Sequence, residues 1–127
     1  MAYKPRLTEK TLTLKGADIA AGSFVLWRAS VPCKIKAVRA YRVGGTAAAV
    51  NGTRTTINPS NGSPVTTNLL TGDLSVSSAS TWMAGSLAGL ANRRFLEGDT
   101  LAVTVVSAGG SPTDLIIQVD IEKDANF

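Results

Sequence analysis

The sequence predicts an all-β domain, an antiparallel β-sandwich or jelly roll of about eight strands. Three observations predict it. Short runs rich in Val, Ile, Leu and Thr recur between turn signals spaced roughly 8 to 15 residues apart. The C-terminal quarter holds two alternating apolar runs, Thr100 to Val106 and Leu115 to Glu122, around the turn cluster Ala108-Gly109-Gly110-Ser111-Pro112, which has the pattern of a β-hairpin. At 127 residues, with 44% hydrophobic and 17% charged residues, the chain has the size and composition of one folded domain with one core.

The elements follow in order. Residues 1–10, with Lys4, Pro5, Arg6 and Lys10, read as an extended basic arm, because Pro5 opposes a helix; residues 11–127 form the domain. Thr11-Leu12-Thr13-Leu14 alternates strictly and puts both leucines on one buried face, and Gly16 turns the chain. Phe24-Val25-Leu26-Trp27 is uniformly apolar, as in a strand covered on both faces or at a subunit contact, and Pro32 ends it. Cys33 to Val43 is a long strand whose alternation breaks at Val38 and Arg39, which a bulge near Ala37 repairs.

Gly44-Gly45 reads as the next hairpin turn. Ala47 to Val50 is a strand despite its three alanines, because glycine turns bracket it too closely for a helix. Asn58 to Pro64 is the richest turn cluster and predicts an exposed loop. Leu74 and Val76 form a short strand. Ser80 to Asn92 has near-helical spacing of Trp82, Met83, Leu87 and Leu90, but Gly85 and Gly89 oppose a helix and a loop is predicted. Glu97-Gly98-Asp99 is a corner before the last strands.

The net charge of +4 conceals two unlike halves. Residues 1–54 hold ten Lys or Arg against two acids, and residues 55–127 hold three against seven. Such a division suits either pairing within the molecule or a polarised surface. The cations Arg28, Lys34, Lys36, Arg39 and Arg42, interleaved with Trp27 and Tyr41, meet the outline of a nucleic-acid surface. Simple alternation separates Tyr41 from Lys34 and Lys36, so nucleic acid is not expected as a partner.

No enzyme is predicted. The chain has no histidine, which removes the usual general base, the nucleophilic triads and the commonest metal ligand. The acids sit mostly at turns and strand ends, and no spaced Asp/Asn series supports a calcium loop around Gly98-Asp99-Thr100 with Asp73 or Asp114. No metal and no cofactor is expected. Cys33, the sole cysteine, excludes an internal disulfide and reads as a small buried side chain. No apolar run is long enough to span a bilayer, and residues 1–14 lack a signal-peptide core, so synthesis in a host cytoplasm without a membrane step is expected.

The pieces Phe24-Val25-Leu26-Trp27-Arg28-Ala29, Pro32-Cys33-Lys34-Ile35, Tyr41-Arg42-Val43-Gly44-Gly45, Asp73-Leu74-Ser75 and Phe95-Leu96-Glu97-Gly98-Asp99-Thr100 through Val105 run through the chain with Gly110-Ser111-Pro112-Thr113 and Gln118-Val119-Asp120. In these the chain resembles a group of small virion proteins of tailed bacteriophages, over most of residues 8–122. The resemblance implies a β-rich head decoration (cement) protein on the capsid surface, partnered by the major capsid protein and self-associating, with a trimer favoured. It carries over no site residues. The rival it leaves open is a carbohydrate- or receptor-binding sandwich of a fibre or tail. The partner-binding candidates are Tyr3, Lys4, Arg6 and Lys10 in the basic arm, and Trp82, which would be a stacking platform in the rival reading.

Overall fold

Strand pairing in this chain is nested. A computed structural model describes residues 6–124, and its strands are β1 (Arg6–Lys15), β2 (Gly22–Arg28), β3 (Cys33–Val43), β4 (Ala47–Ile57), β5 (Pro64–Asn68), β6 (Leu74–Ser75), β7 (Met83–Ala84), β8 (Arg94–Phe95), β9 (Thr100–Gly109) and β10 (Asp114–Lys123). β1 pairs with β10, β2 with β9, β3 with β7 and β8, and β4 with β5 and β6, all antiparallel. Winding such a nested ribbon on itself adds two further pairings, β10 to β3 and β9 to β4. The result is two packed sheets. Sheet A runs β1-β10-β3 with β7 and β8 sharing its last position, and sheet B runs β2-β9-β4 with β5 and β6 sharing its last position. Eight strand positions arranged this way are a jelly roll, as the sequence predicts. Ten strands are present because the outer position of each sheet is split.

The two predicted hairpins are corrected by this topology. β9 and β10 lie in different sheets, as do β3 and β4, so the Gly109 to Pro112 and Gly44-Gly45 turns carry the chain across the sandwich. The predicted Asn58 to Pro64 loop does close a hairpin, pairing Ile57 with Pro64. Its asparagines hold it, with Asn58 Oδ1 accepting from the Ser60 amide and Asn61 Oδ1 from the Ser63 amide, both at 2.9 Å.

The core lies between the sheets and draws on both, with Ile35, Val38, Leu115, Ile117 and Ile121 from sheet A, Val50, Leu101 and Val103 from sheet B, and Phe95 between them. Bulges decide which residues reach it. Asp120 pairs with Ala37 and Ile121 with Ile35, leaving Lys36 as the extra residue, where the broken alternation predicts a bulge. Beyond that point the phase reverses, so Val38, Ala40 and Arg42 point inward and Arg39 and Tyr41 outward. A second bulge skips Leu26. It turns both Leu26 and Trp27 toward the core with Phe24, and leaves Val25 alone on the outside at 76% exposure. The apolar run of β2 is therefore an edge strand with a bulge, not a strand covered on both faces.

Ser80 to Asn92 is mostly irregular. It contains only β7, an isolated bridge from Leu87 to Leu70, and the start of a single helical turn, α1 (Leu90–Arg93). Two arginines fasten it. Arg93 donates to the Ile35 carbonyl at 2.8 Å, in the gap of the β3 edge between β7 and β8, and Arg54 donates to the carbonyls of Ala91 at 2.9 Å and Arg94 at 2.6 Å. Among the described residues no helix is long and apolar enough to cross a membrane.

Candidate interaction surfaces

The outer faces of the two sheets differ in chemistry. On sheet A the cations of β1 and β3 meet the acids of β10: Lys15 pairs with Asp114 at 3.1 Å, Lys34 and Lys36 with Glu122 at 3.3 and 3.6 Å, and Arg39 with Asp120. Each pair joins a cation from the basic half of the sequence to an acid from the acidic half. Charge complementarity within the molecule therefore accounts for much of the asymmetry. Such pairs stabilise by at most about 1 kcal/mol each at a half-exposed surface, but they leave Lys34, Lys36 and Arg39 of β3 already matched by carboxylates.

Sheet B presents the opposite character. The residues on its outer side are Ser23, Val25 and Arg28 on β2, Thr100, Ala102, Thr104 and Val106 on β9, Ala49, Asn51, Thr53, Thr55 and Ile57 on β4, and Thr66 and Asn68 on β5. Of these only Arg28, at the end of the β2 edge, is charged. Hydroxyl pairs tie neighbouring strands, Ser23 to Thr104 at 3.0 Å and Thr55 to Thr66 at 2.9 Å, and Asn51 donates to Asp73 at 3.0 Å. Ala102 and Asn51 are themselves buried by their neighbours, so the face is low and even, with Val25, Val106 and, at the end of β4, Ile57 its exposed apolar points.

The two ends of the sandwich carry shallow hollows. One, of about 620 Å³, is lined by Gly16, Ile19, Ala108 and Pro112 where three sheet-crossing turns meet. The other, of about 400 Å³, lies among Ile57, Pro59 and Leu96. Glu97 and Asp99 also line the second, and among the described residues no cluster of three metal-ligating side chains occurs. Asp99, weighed as a calcium ligand, instead accepts the Leu96 amide at 2.9 Å and closes its own turn. Asp73 is occupied by Asn51.

The sequence candidates fall in different places. Tyr3 and Lys4 lie outside the described residues. Residues 6–10, the second half of the extended arm, are the first half of β1 in full register with β10, from Arg6 opposite Lys123 to Lys10 opposite Val119. Lys10 is on the inner side of the strand, its ammonium 5.7 Å over the Trp27 ring, where it covers the indole by a cation–π contact. Trp82 is 47% exposed on the outer face of sheet A and lies against Tyr41, ring centroids 5.2 Å apart and planes inclined at 49°. Lys10 is thus brought to Trp27 and not to Trp82.

Sequence reasoning missed two things here. Arg42, read as a surface cation, is buried; the bulge that reverses the phase of β3 was the available signal. The same reversal puts Tyr41 on the outside with Lys34, where uninterrupted alternation separates the two.

Cys33 is fully buried on β3. Burial, reinforced by the carboxylates of Asp124 and Asp99, pushes its thiol from 9.0 up to about 11. Because the folded value lies above the unfolded one, this stabilising difference is complete below pH 9 and is lost as pH rises from 9 to about 11. Folded protein at pH 8 is expected to resist a disulfide thiol reagent that labels the urea-unfolded chain within minutes. Rapid labelling of the folded chain would contradict the burial.

No family model matches the chain, and no curated protein matches it significantly. Among solved structures, the chain is similar to a chain of the structure of infectious bursal disease virus, Gt strain, with a TM-score of 0.51 and 10% identity. The likeness covers 98% of this chain and 34% of that one, so this chain spans about a third of the length of the chain it matches. At that identity the shared property is the fold.

Proposed function

We propose that this protein is a structural component of a virus particle, bound on the outside of a bacteriophage capsid, where it stabilises the head lattice as a decoration protein. The observation that carries the reading is the jelly roll, whose whole length fits within a chain of a virus structure. The resemblance to small tailed-phage virion proteins supports the finer assignment, and the major capsid protein is then the partner. The outer face of sheet B, whose centre is uncharged between Arg28 at the β2 edge and Asp73 beside Asn51, is the docking surface, because burying that centre requires no charge to be stripped of water.

A protein that binds only the assembled shell stabilises that shell by mass action, and a repeated lattice multiplies weak contacts. Self-association, with a trimer as the favoured form, would add to that retention. Mass spectrometry of purified particles, with heads separated from tails, tests the location: the polypeptide is expected in heads, and its confinement to tails would favour the fibre reading.

Val25→Asp tests the surface. Val25 is 76% exposed, so the substitution is expected to change the stability of the free protein by no more than about 0.5 kcal/mol. Retention on heads is expected to fall at least about tenfold, since docking would then have to strip the aspartate of its water. Undiminished retention would remove sheet B from the interface. Any contribution of an N-terminal arm is tested by deleting residues 1–5, because deleting 1–10 would also remove half of β1.

A further inference from the structure

Aromatic, small and polar groups converge at one place on the outer face of sheet A, away from the docking face proposed above. Trp82 and Tyr41 form its wall. About 7 Å along the strands, two residues from Tyr41, lies the row Gln118, Arg39 and Ala84, set by the registers of β10 and β7 on β3. Ala84 is exposed and short, so a step opens beside the indole. Asp120 accepts from Arg39 Nη1 and, at 2.9 Å, from Gln118 Nε2. Guanidinium, carboxylate and amide are thereby fixed relative to one another at the rim of the step.

We infer that this step binds a sugar ring, which stacks on Trp82 above Ala84 and directs its hydroxyls to Arg39, Gln118 and Asp120. A pyranose has a face of C–H groups and a rim of adjacent hydroxyls. The electron-rich face of an indole attracts the first, and planar guanidinium and carboxylate groups suit the second. Single-stranded nucleic acid also stacks on aromatics, but it needs cations for its phosphates, and Arg39 is already neutralised by Asp120 with Glu122 on the same face. Nor is Trp82 spent on the core, which it does not join.

The segment that delivers Trp82 is held in place beforehand. Arg42 donates to the carbonyls of Val76 at 3.0 Å and Ser77 at 3.1 Å, and its own carbonyl accepts the Ser80 amide at 2.7 Å. The platform therefore loses little freedom on binding.

The test is isothermal titration calorimetry of the full chain with methyl pyranosides and short oligosaccharides of glucose, galactose, mannose, rhamnose and N-acetylglucosamine, with a thymidine decanucleotide as control. At least one sugar is expected to give a saturable heat of binding. Trp82→Ala is expected to weaken that binding at least about tenfold and Gln118→Ala about threefold, while Trp82→Phe keeps a stacking ring and most of the affinity. Thermal unfolding of each variant within a few degrees of the parent shows that the sandwich is intact. No saturable response to any sugar, equal binding by Trp82→Ala, or a response to the decanucleotide alone would each overturn the assignment. None of these outcomes depends on where in a particle the protein sits.

Discussion

Replacing Gly45 with alanine is expected to lower the midpoint of thermal unfolding by about 10 °C or more, corresponding to at least about 3 kcal/mol for a domain of this size. Two causes add. Gly45 has φ +69°, a conformation that disfavours a side chain by about 1–2 kcal/mol. A Cβ there would also lie 2.6 Å from Pro112 Cγ and 2.8 Å from both the Gly109 carbonyl oxygen and the Pro112 nitrogen. The turns after β3 and β9 thus cross in contact, locked by the Thr46 amide donating to the Gly109 carbonyl and the Thr113 amide donating to the Val43 carbonyl, both at 2.9 Å.

Gly110→Ala should behave alike, since its Cβ would stand 2.7 Å from the Thr46 nitrogen. Gly62, in the β4–β5 loop, separates the two causes: its φ is +71° but nothing lies within 4 Å of a Cβ. Gly62→Ala should therefore cost only about 1 kcal/mol. Equal midpoints for Gly45→Ala and Gly62→Ala would show that the crossing turns are not in contact.

Arg42→Met carries the second large effect, an expected loss of about 3 kcal/mol. Arg42 is 2% exposed and donates to three backbone carbonyls, those of Val76, Ser77 and Gly44, and among the described residues no carboxylate pairs with it. Methionine fills the volume but leaves those carbonyls without donors, at about 1–3 kcal/mol for each that water cannot reach. Arg42→Lys should recover only part of the loss, because one ammonium cannot span acceptors that the planar fork reaches from fixed positions. Urea denaturation checks both variants. A methionine variant as stable as the parent would mean that water already serves the carbonyls.

The strands, most turns and the fold class were legible because alternation and turn chemistry are local. Leu12, Leu14 and the bulge near Ala37 could be placed from their neighbours alone. Sheet membership could not. Glycine-rich turns between alternating runs look the same whether the second strand returns beside the first or crosses to the other sheet, so both crossings read as hairpins. The extra residue in β2 was equally hidden, because four apolar residues in a row leave no alternation to break. Trp82 was legible as a candidate, but its neighbours were not: Tyr41 comes from β3 and Gln118 and Asp120 from β10, brought together only by register.

The nested order of pairing also sets when this protein can fold. β10 lies between β1 and β3, so until residues 114–123 have left the ribosome sheet A has a gap one strand wide, about 9.6 Å between its two flanks. The chain must hold β1 unpaired for about a hundred residues of synthesis, since among the described residues its strand partner is β10. Folding is expected to start at the local β4–β5 hairpin and close outward, slowly for a domain of this length. A nascent chain stalled at Gly110 would expose two strand edges facing one missing strand, the state most prone to pair with another copy of itself.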